Sequence, residues 1–194
     1  MIHDLGLLAA RFAVGGGIAA HGAQKAFGAF EGPGPEGAGR FMESLGFKPG
    51  GQFATIASAN ELTSGLLIAL GLGGPVGPAL LLSTMIVAQT SVHLKNGFFA
   101  QKNGVELGTL YASAALAFAS GGYGQLSADH VLGLDEKLRH PLLTTLALAA
   151  AVAGSYLVLA QRDFSPPPGT LATPTTTGVR NGEAGGTSPA PATG

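Results

Sequence analysis

The sequence predicts an all-α protein, a polytopic bundle of five transmembrane helices, and three observations carry that expectation. Only 11% of the 194 residues are charged while 46% are hydrophobic. A soluble domain is about 25% charged, so this chain has too few charges to coat a water-facing surface. Its mean hydropathy is +0.35. The apolar residues, mostly Ala, Leu, Gly and Val, fall in blocks near the roughly 20 residues that one bilayer crossing requires. The lipid bilayer is therefore the expected solvent and first partner. A formal net charge of −1 offers no basic field to a phosphate backbone, which excludes nucleic acid as a partner. The chain has no cysteine, which rules out disulfides, a reactive thiol and Cys-ligated zinc or iron–sulfur centres within it.

The first apolar block runs from Leu5 to about Phe27. It carries Arg11, His21 and Lys25 and has no basic segment before it, so it reads as a mature helix rather than a cleaved signal. Small residues at Ala9, Ala13 and Gly17, four apart, predict the face on which a neighbouring helix packs closely. A loop of roughly 25 residues follows, broken at Gly32-Pro33-Gly34-Pro35 and again between Gly46 and Gly51. Between the breaks, residues 36–45 predict a short amphipathic helix that would place Phe41, Met42, Leu45 and Phe47 in the membrane interface.

The second and third blocks, Phe53 to Leu72 and Pro75 to Val92, are separated only by Gly73-Gly74-Pro75. They form two helices or a tight re-entrant hairpin, and Pro75 and Pro78 sit where a first turn tolerates proline. Val105 to Gly121 makes a shorter fourth helix and Pro141 to Ala160 a fifth. Residues 1–162 thus form one transmembrane domain. Residues 163–194 are rich in Pro, Thr, Gly and Ala, hold almost no large apolar side chain, and predict a disordered tail. Arg40, Lys48, Lys95, Lys102 and Arg162 collect on one side of such a five-span chain, against Lys137 and Arg139 on the other. That bias places the first group in the cytoplasm and the N terminus outside.

Ionisable residues inside spans are costly and mark functional candidates. With alternating helix directions, His21, Lys25, Glu61, Gln89, His93, Asn96 and Glu106, from four different helices, come to one membrane face. His21 with Lys25 and Gln89 with His93 are four apart and share helix faces. Glu61, two turns or about 12 Å into its block at roughly 1.5 Å per residue, needs a partner, which Lys25, His21 or His93 would supply. Glu61, His21 and His93 are the candidates for proton chemistry, and the whole set for holding a ligand. Lys25, Lys95, Lys102 and Glu106 also read as residues snorkelling to the headgroups. Arg11 lies nearer the opposite face, where Asp129 or Asp4 would make a structural ion pair with it. His21 and His93 sit on different helices without a local ligand spacing, so no metal site is assigned.

Arg11, His21-Gly22 with Lys25 and Phe27-Gly28, Glu61 with Gly65, and Met85, Ala88 and His93 followed by Asn96-Gly97-Phe98-Phe99 occur in an order that resembles the DoxX family. Glu106 and Gly121-Gly122-Tyr123-Gly124 with Ser127 and Asp129 extend the likeness to about residues 5–130. The resemblance implies a core of four helices in the bacterial cytoplasmic membrane, to which this chain adds a fifth helix and the tail. It also implies a subunit or partner of a quinone-linked or stress-related redox system, working with a soluble redox protein or a second membrane subunit. Quinone is then the cofactor to expect, and electrons come from elsewhere, since no redox centre lies in this chain. Two other readings stand beside it, a small proton-coupled transporter and a scaffold that recruits a soluble protein.

Overall fold

Five long helices account for the bundle, and their ends follow from glycine and proline. The computed structural model describes residues 1–165, so the predicted tail from residue 166 onward lies outside the described residues. Helix α1 spans Ile2–Phe27 and stops at Gly28, whose φ of 69° is left-handed. A short helix α2, Gly34–Ser44, leads to α3, Gly50–Leu70. α3 closes on Gly71, again left-handed at φ 67°, the conformation that commonly caps a helix C-terminus. Helix α4, Val76–Ala88, widens into a π turn at Gln89–His93. Helix α5 is Glu106–Gly121, α6 and α7 are single turns at Ala128–Val131 and Asp135–Leu138, and α8 is Pro141–Leu159.

Four segments are long and apolar enough to cross a bilayer, namely Ile2–Phe27, Gly50–Leu70, Val76–Asn96 and Pro141–Leu159. Together they make this a multi-pass membrane fold. α5, with 16 residues, reaches only about 24 Å at roughly 1.5 Å per residue, short of the ~30 Å hydrocarbon core. It still runs from one end of the bundle to the other. Ahead of it, Glu106 N bonds Phe98 O at 2.9 Å, beside the end of the third span. Behind it, Gln125 N donates to Asp4 Oδ1 at 3.0 Å, at the start of α1. The second and third blocks are separate helices and not a re-entrant hairpin, since each is 21 residues long.

The core holds Ile18, Ile68, Leu81, Met85, Ala115, Phe118 and Tyr123. α1 lies against α3 because glycine removes the side chains between them: a Cβ on Gly15 would sit 2.5 Å from Gly65 O. Ser155 Oγ of α8 meets Ser83 Oγ of α4 at 3.0 Å, a small polar contact of the kind that joins helices in lipid.

Three expectations need correction. The packing stripe of α1 is Arg11, Gly15, Ile18 and Gly22, whereas Ala9 and Ala13 are exposed. In so Ala- and Gly-rich a helix more than one face carries small residues, and only the complementary Ser58, Gly65 and Ala69 on α3 select between them. Phe47 is not interfacial; it is 1% exposed, its ring 5.1 Å from that of Phe53 and 5.7 Å from the Arg162 guanidinium. Finally, α3 begins at Gly50, three residues before its apolar block, with Gly50 N bonded to Glu43 Oε1 at 3.3 Å. Glu61 is therefore about 16 Å into its helix, near the middle of a bilayer of roughly 30 Å.

Candidate functional site

The antiparallel run of α1 against α3 sets the site. Gly22 lies over Ser58 and Leu62, so Lys25, one turn further, stands at a shallower level than Glu61. Its four methylenes reach inward and bring Nζ onto Glu61 Oε1, the reverse of the usual snorkel toward water. The Glu61 side chain is 7% exposed and that of Lys25 25%. The remaining carboxylate oxygen, Glu61 Oε2, is buried and has no hydrogen-bond partner among the described residues.

Beneath this pair lies a cavity of about 200 Å³. Its walls are Met42, Phe47, Phe53, Ile56, Val87 and Val158, and its polar end holds Lys25, Glu61, Asn60, Ser83 and Thr84. Ile56 is 60% exposed, so the cavity opens sideways, toward lipid. The other polar groups are internally engaged. Asn60 Nδ2 donates to Leu80 O at 3.0 Å and to Thr84 Oγ1 at 2.7 Å, and Thr84 Oγ1 donates to Leu80 O at 3.1 Å. On its other side Lys25 borders a second cavity of about 340 Å³, beside Phe27, Pro35 and Thr55 at the end of α1. An ammonium and a carboxylate in this setting can hold a polar head group whose body lies in the apolar cavity.

The seven predicted residues do not form one cluster. Lys25 and Glu61 meet. His21 is exposed and its imidazole makes no hydrogen bond among the described residues. Gln89 Nε2 donates to Thr109 Oγ1 at 3.4 Å, with Oε1 buried and unpartnered among the described residues. His93, Asn96 and Glu106 are joined to each other only through the loop after the third span. His93 Nδ1 and Asn96 Nδ2 reach Asn103 O at 2.8 and 3.1 Å, and Glu106 Oε2 accepts from Ala100 N at 2.8 Å. Asn103 is left-handed at φ 59°, which asparagine tolerates better than most residues. These three side chains fix a turn. Among the described residues, no group of three His, Asp or Glu side chains converges as a metal set.

Arg11 and Asp129 share the opposite end of the bundle but address backbone rather than each other. Arg11, 1% exposed, donates to Tyr123 O at 3.1 Å and Leu126 O at 2.6 Å. Asp129 accepts from Gly73 N at 2.9 Å and Gly74 N at 2.8 Å. The expected direct ion pair is replaced by a clasp, because the loops after α3 and α5 leave carbonyls and amides that need partners away from water. Gly71 belongs to it, since any Cβ there would strike the Arg11 guanidinium. Burial holds the Tyr123 phenol well above its usual range, so it stays neutral and donates to Gly74 O at 2.7 Å. Nearby, a hydrogen bond from His130 keeps the half-buried Asp135 carboxyl below its usual range.

The fold and this site define a polytopic helical membrane protein with a part-buried ion pair at the head of a lipid-facing cavity. Residues 6–94 match the family model described as DoxX, which bears out the resemblance seen in the sequence. The match covers most of α1, all of α2 to α4 and the π turn, and with them Lys25 and Glu61. Asn96, Glu106 and Asp129 lie beyond it. No curated protein and no solved structure matches the chain.

Proposed function

We propose that this DoxX-like protein is the membrane subunit or membrane partner of a quinone-linked or stress-related redox system in the bacterial cytoplasmic membrane. Its Lys25–Glu61 cavity is the seat of a lipid-soluble redox head group. The observation that carries the reading is a near-buried carboxylate, paired with lysine, at the polar end of an apolar cavity that opens toward lipid. A charge pair at that depth is expensive, and the helices could be packed without it. Lys25 and Glu61 would hold the head group, and Met42, Phe47, Phe53 and Val87 its ring and the start of its chain. A bound quinone supplies the electron transfer, while a soluble redox protein or a second membrane subunit supplies the electrons. What this chain contributes is orientation, exclusion of water, and a carboxylate that can exchange a proton.

The test is to purify the protein from bacterial membranes into lipid nanodiscs and to identify co-purifying molecules by mass spectrometry. Quinone, counted together with its reduced hydroquinone form, should be retained well above the level in an unrelated polytopic protein handled identically, and Glu61→Leu should lower it to that level. Retention at background in the wild-type protein would remove the quinone reading.

A further inference from the structure

We propose that the Lys25–Glu61 cavity selects ligands whose head carries a hydroxyl group, a lipid-soluble phenol, hydroquinone or alcohol, over heads that only accept hydrogen bonds. The inference rests on the cavity being a ligand site, as set out above, and adds the chemical class it takes. It follows from a count of donors and acceptors on the polar wall. Glu61 Oε1 is occupied by Lys25, and Glu61 Oε2 is buried without a partner among the described residues. A carboxylate oxygen can only accept. The hydrogens of Asn60 Nδ2 go to Leu80 O and Thr84 Oγ1, and that of Thr84 goes to Leu80 O. Ser83 Oγ takes the hydroxyl hydrogen of Ser155 and keeps its own, a neutral donor. Glu61 Oε2 is thus the acceptor of the pair left open for a ligand, beside the two remaining hydrogens of Lys25.

Lys25 Nζ, with three hydrogens of which one reaches Glu61, lies beside that acceptor. A hydroxyl answers both groups at once: its hydrogen goes to Glu61 Oε2 and its oxygen accepts from Lys25. A ketone, a quinone carbonyl or a methyl ether satisfies Lys25 alone and leaves Glu61 Oε2 buried and unpaired. Such mismatches are where binding sites discriminate most strongly, because the orphaned group loses its water and gains nothing. The cavity of about 200 Å³ equals some seven waters at roughly 30 Å³ each, room for a single ring. The remainder of the ligand would leave past Ile56 into lipid.

The experiment uses a matched pair, 4-heptylphenol and its methyl ether, titrated calorimetrically into the full-length protein in nanodiscs, with partitioning into empty discs subtracted. The phenol should bind at least about tenfold tighter than the ether. Glu61→Leu removes the acceptor and should erase the difference. Should Glu61→Leu fail to fold, Glu61→Gln serves the same end. Its carbonyl can take Lys25 and its NH2 then faces the cavity as a donor, so the ratio should fall to near one. Equal affinities for phenol and ether in the wild-type protein overturn the hydroxyl selection while leaving the cavity as a ligand site. Binding of neither probe overturns both the selection and the proposed role of the cavity.

Discussion

Lys25 and Glu61 are the residues on which the functional reading turns, and their coupling can be measured apart from any activity. Lys25→Met would strand Glu61 near the bilayer middle and should cost about 3 kcal/mol, the lower end of what breaking a buried pair costs. Glu61→Leu should cost less, because the freed ammonium, already 25% exposed, can turn back to the interface. The double variant should melt close to the wild type in detergent, since an apolar pair of similar volume carries no desolvation penalty. Additive losses would show that the two charges do not depend on each other. At the opposite end, Asp129→Ala removes the acceptor of two backbone amides. It should cost about 3 kcal/mol at ~1.5 kcal/mol per bond to a charged acceptor, read as a drop in melting temperature, with Asp129→Asn intermediate. The Lys25–Glu61 pairing was legible in the sequence, because helix direction and spacing bring the two to one region. The separation of His93, Asn96 and Glu106 from them was not. Their partners are the backbone of residues 100 and 103, and nothing in side-chain spacing reveals where a loop directs its carbonyls.

At the level of helices, glycine decides which faces meet. Gly15 and Gly16 are neighbours in a run of three, yet a Cβ on Gly15 would collide with Gly65 O and Ala69 N, while one on Gly16 meets nothing within 4 Å. Gly15→Leu should therefore force α1 off α3 at a cost of at least about 1–3 kcal/mol, as overpacking does elsewhere. Gly16→Leu should leave the melting temperature and the elution profile unchanged. The two variants reversing their effects would mean that α1 is rotated from its described setting. Because α1 and α3 carry the two halves of the ion pair, Gly15→Leu should also weaken any ligand binding at Glu61. Helix number and order were legible from blocks of apolar residues. The rotation of α1 and the start of α3 were not, since Ala and Gly line more than one face of α1 and Gly50-Gly51 carries no apolar signal.

The whole molecule places the ends of its helices on two faces, and that arrangement separates five traverses from four. Arg162, just beyond α8, donates from Nε to Leu45 O at 2.8 Å, so α8 ends on the face where α1 ends and α2 lies. The loop after α4 belongs to that face too, because α3 and α4 run antiparallel from Pro49 to Asn96. The start of α1, by contrast, shares the other face with Gln125 and Asp129. The chain thus crosses the bundle an odd number of times even though α5 is the short member, its reach completed by the loops at residues 97–105 and 122–127. The apolar blocks predicted this count, and the lysine and arginine bias predicts its sense, with positions 48 and 102 in the cytoplasm and position 3 outside. A chain without cysteine makes the check direct. Single cysteines at Lys102 and Lys48 should be inert to a membrane-impermeant maleimide in intact cells and react after permeabilisation, whereas one at His3 should react at once. Labelling of 102 and 48 from different sides would mean that only one of α3 and α4 crosses the membrane. Labelling of both in intact cells, with His3→Cys protected, would keep the fold and invert the protein in its membrane.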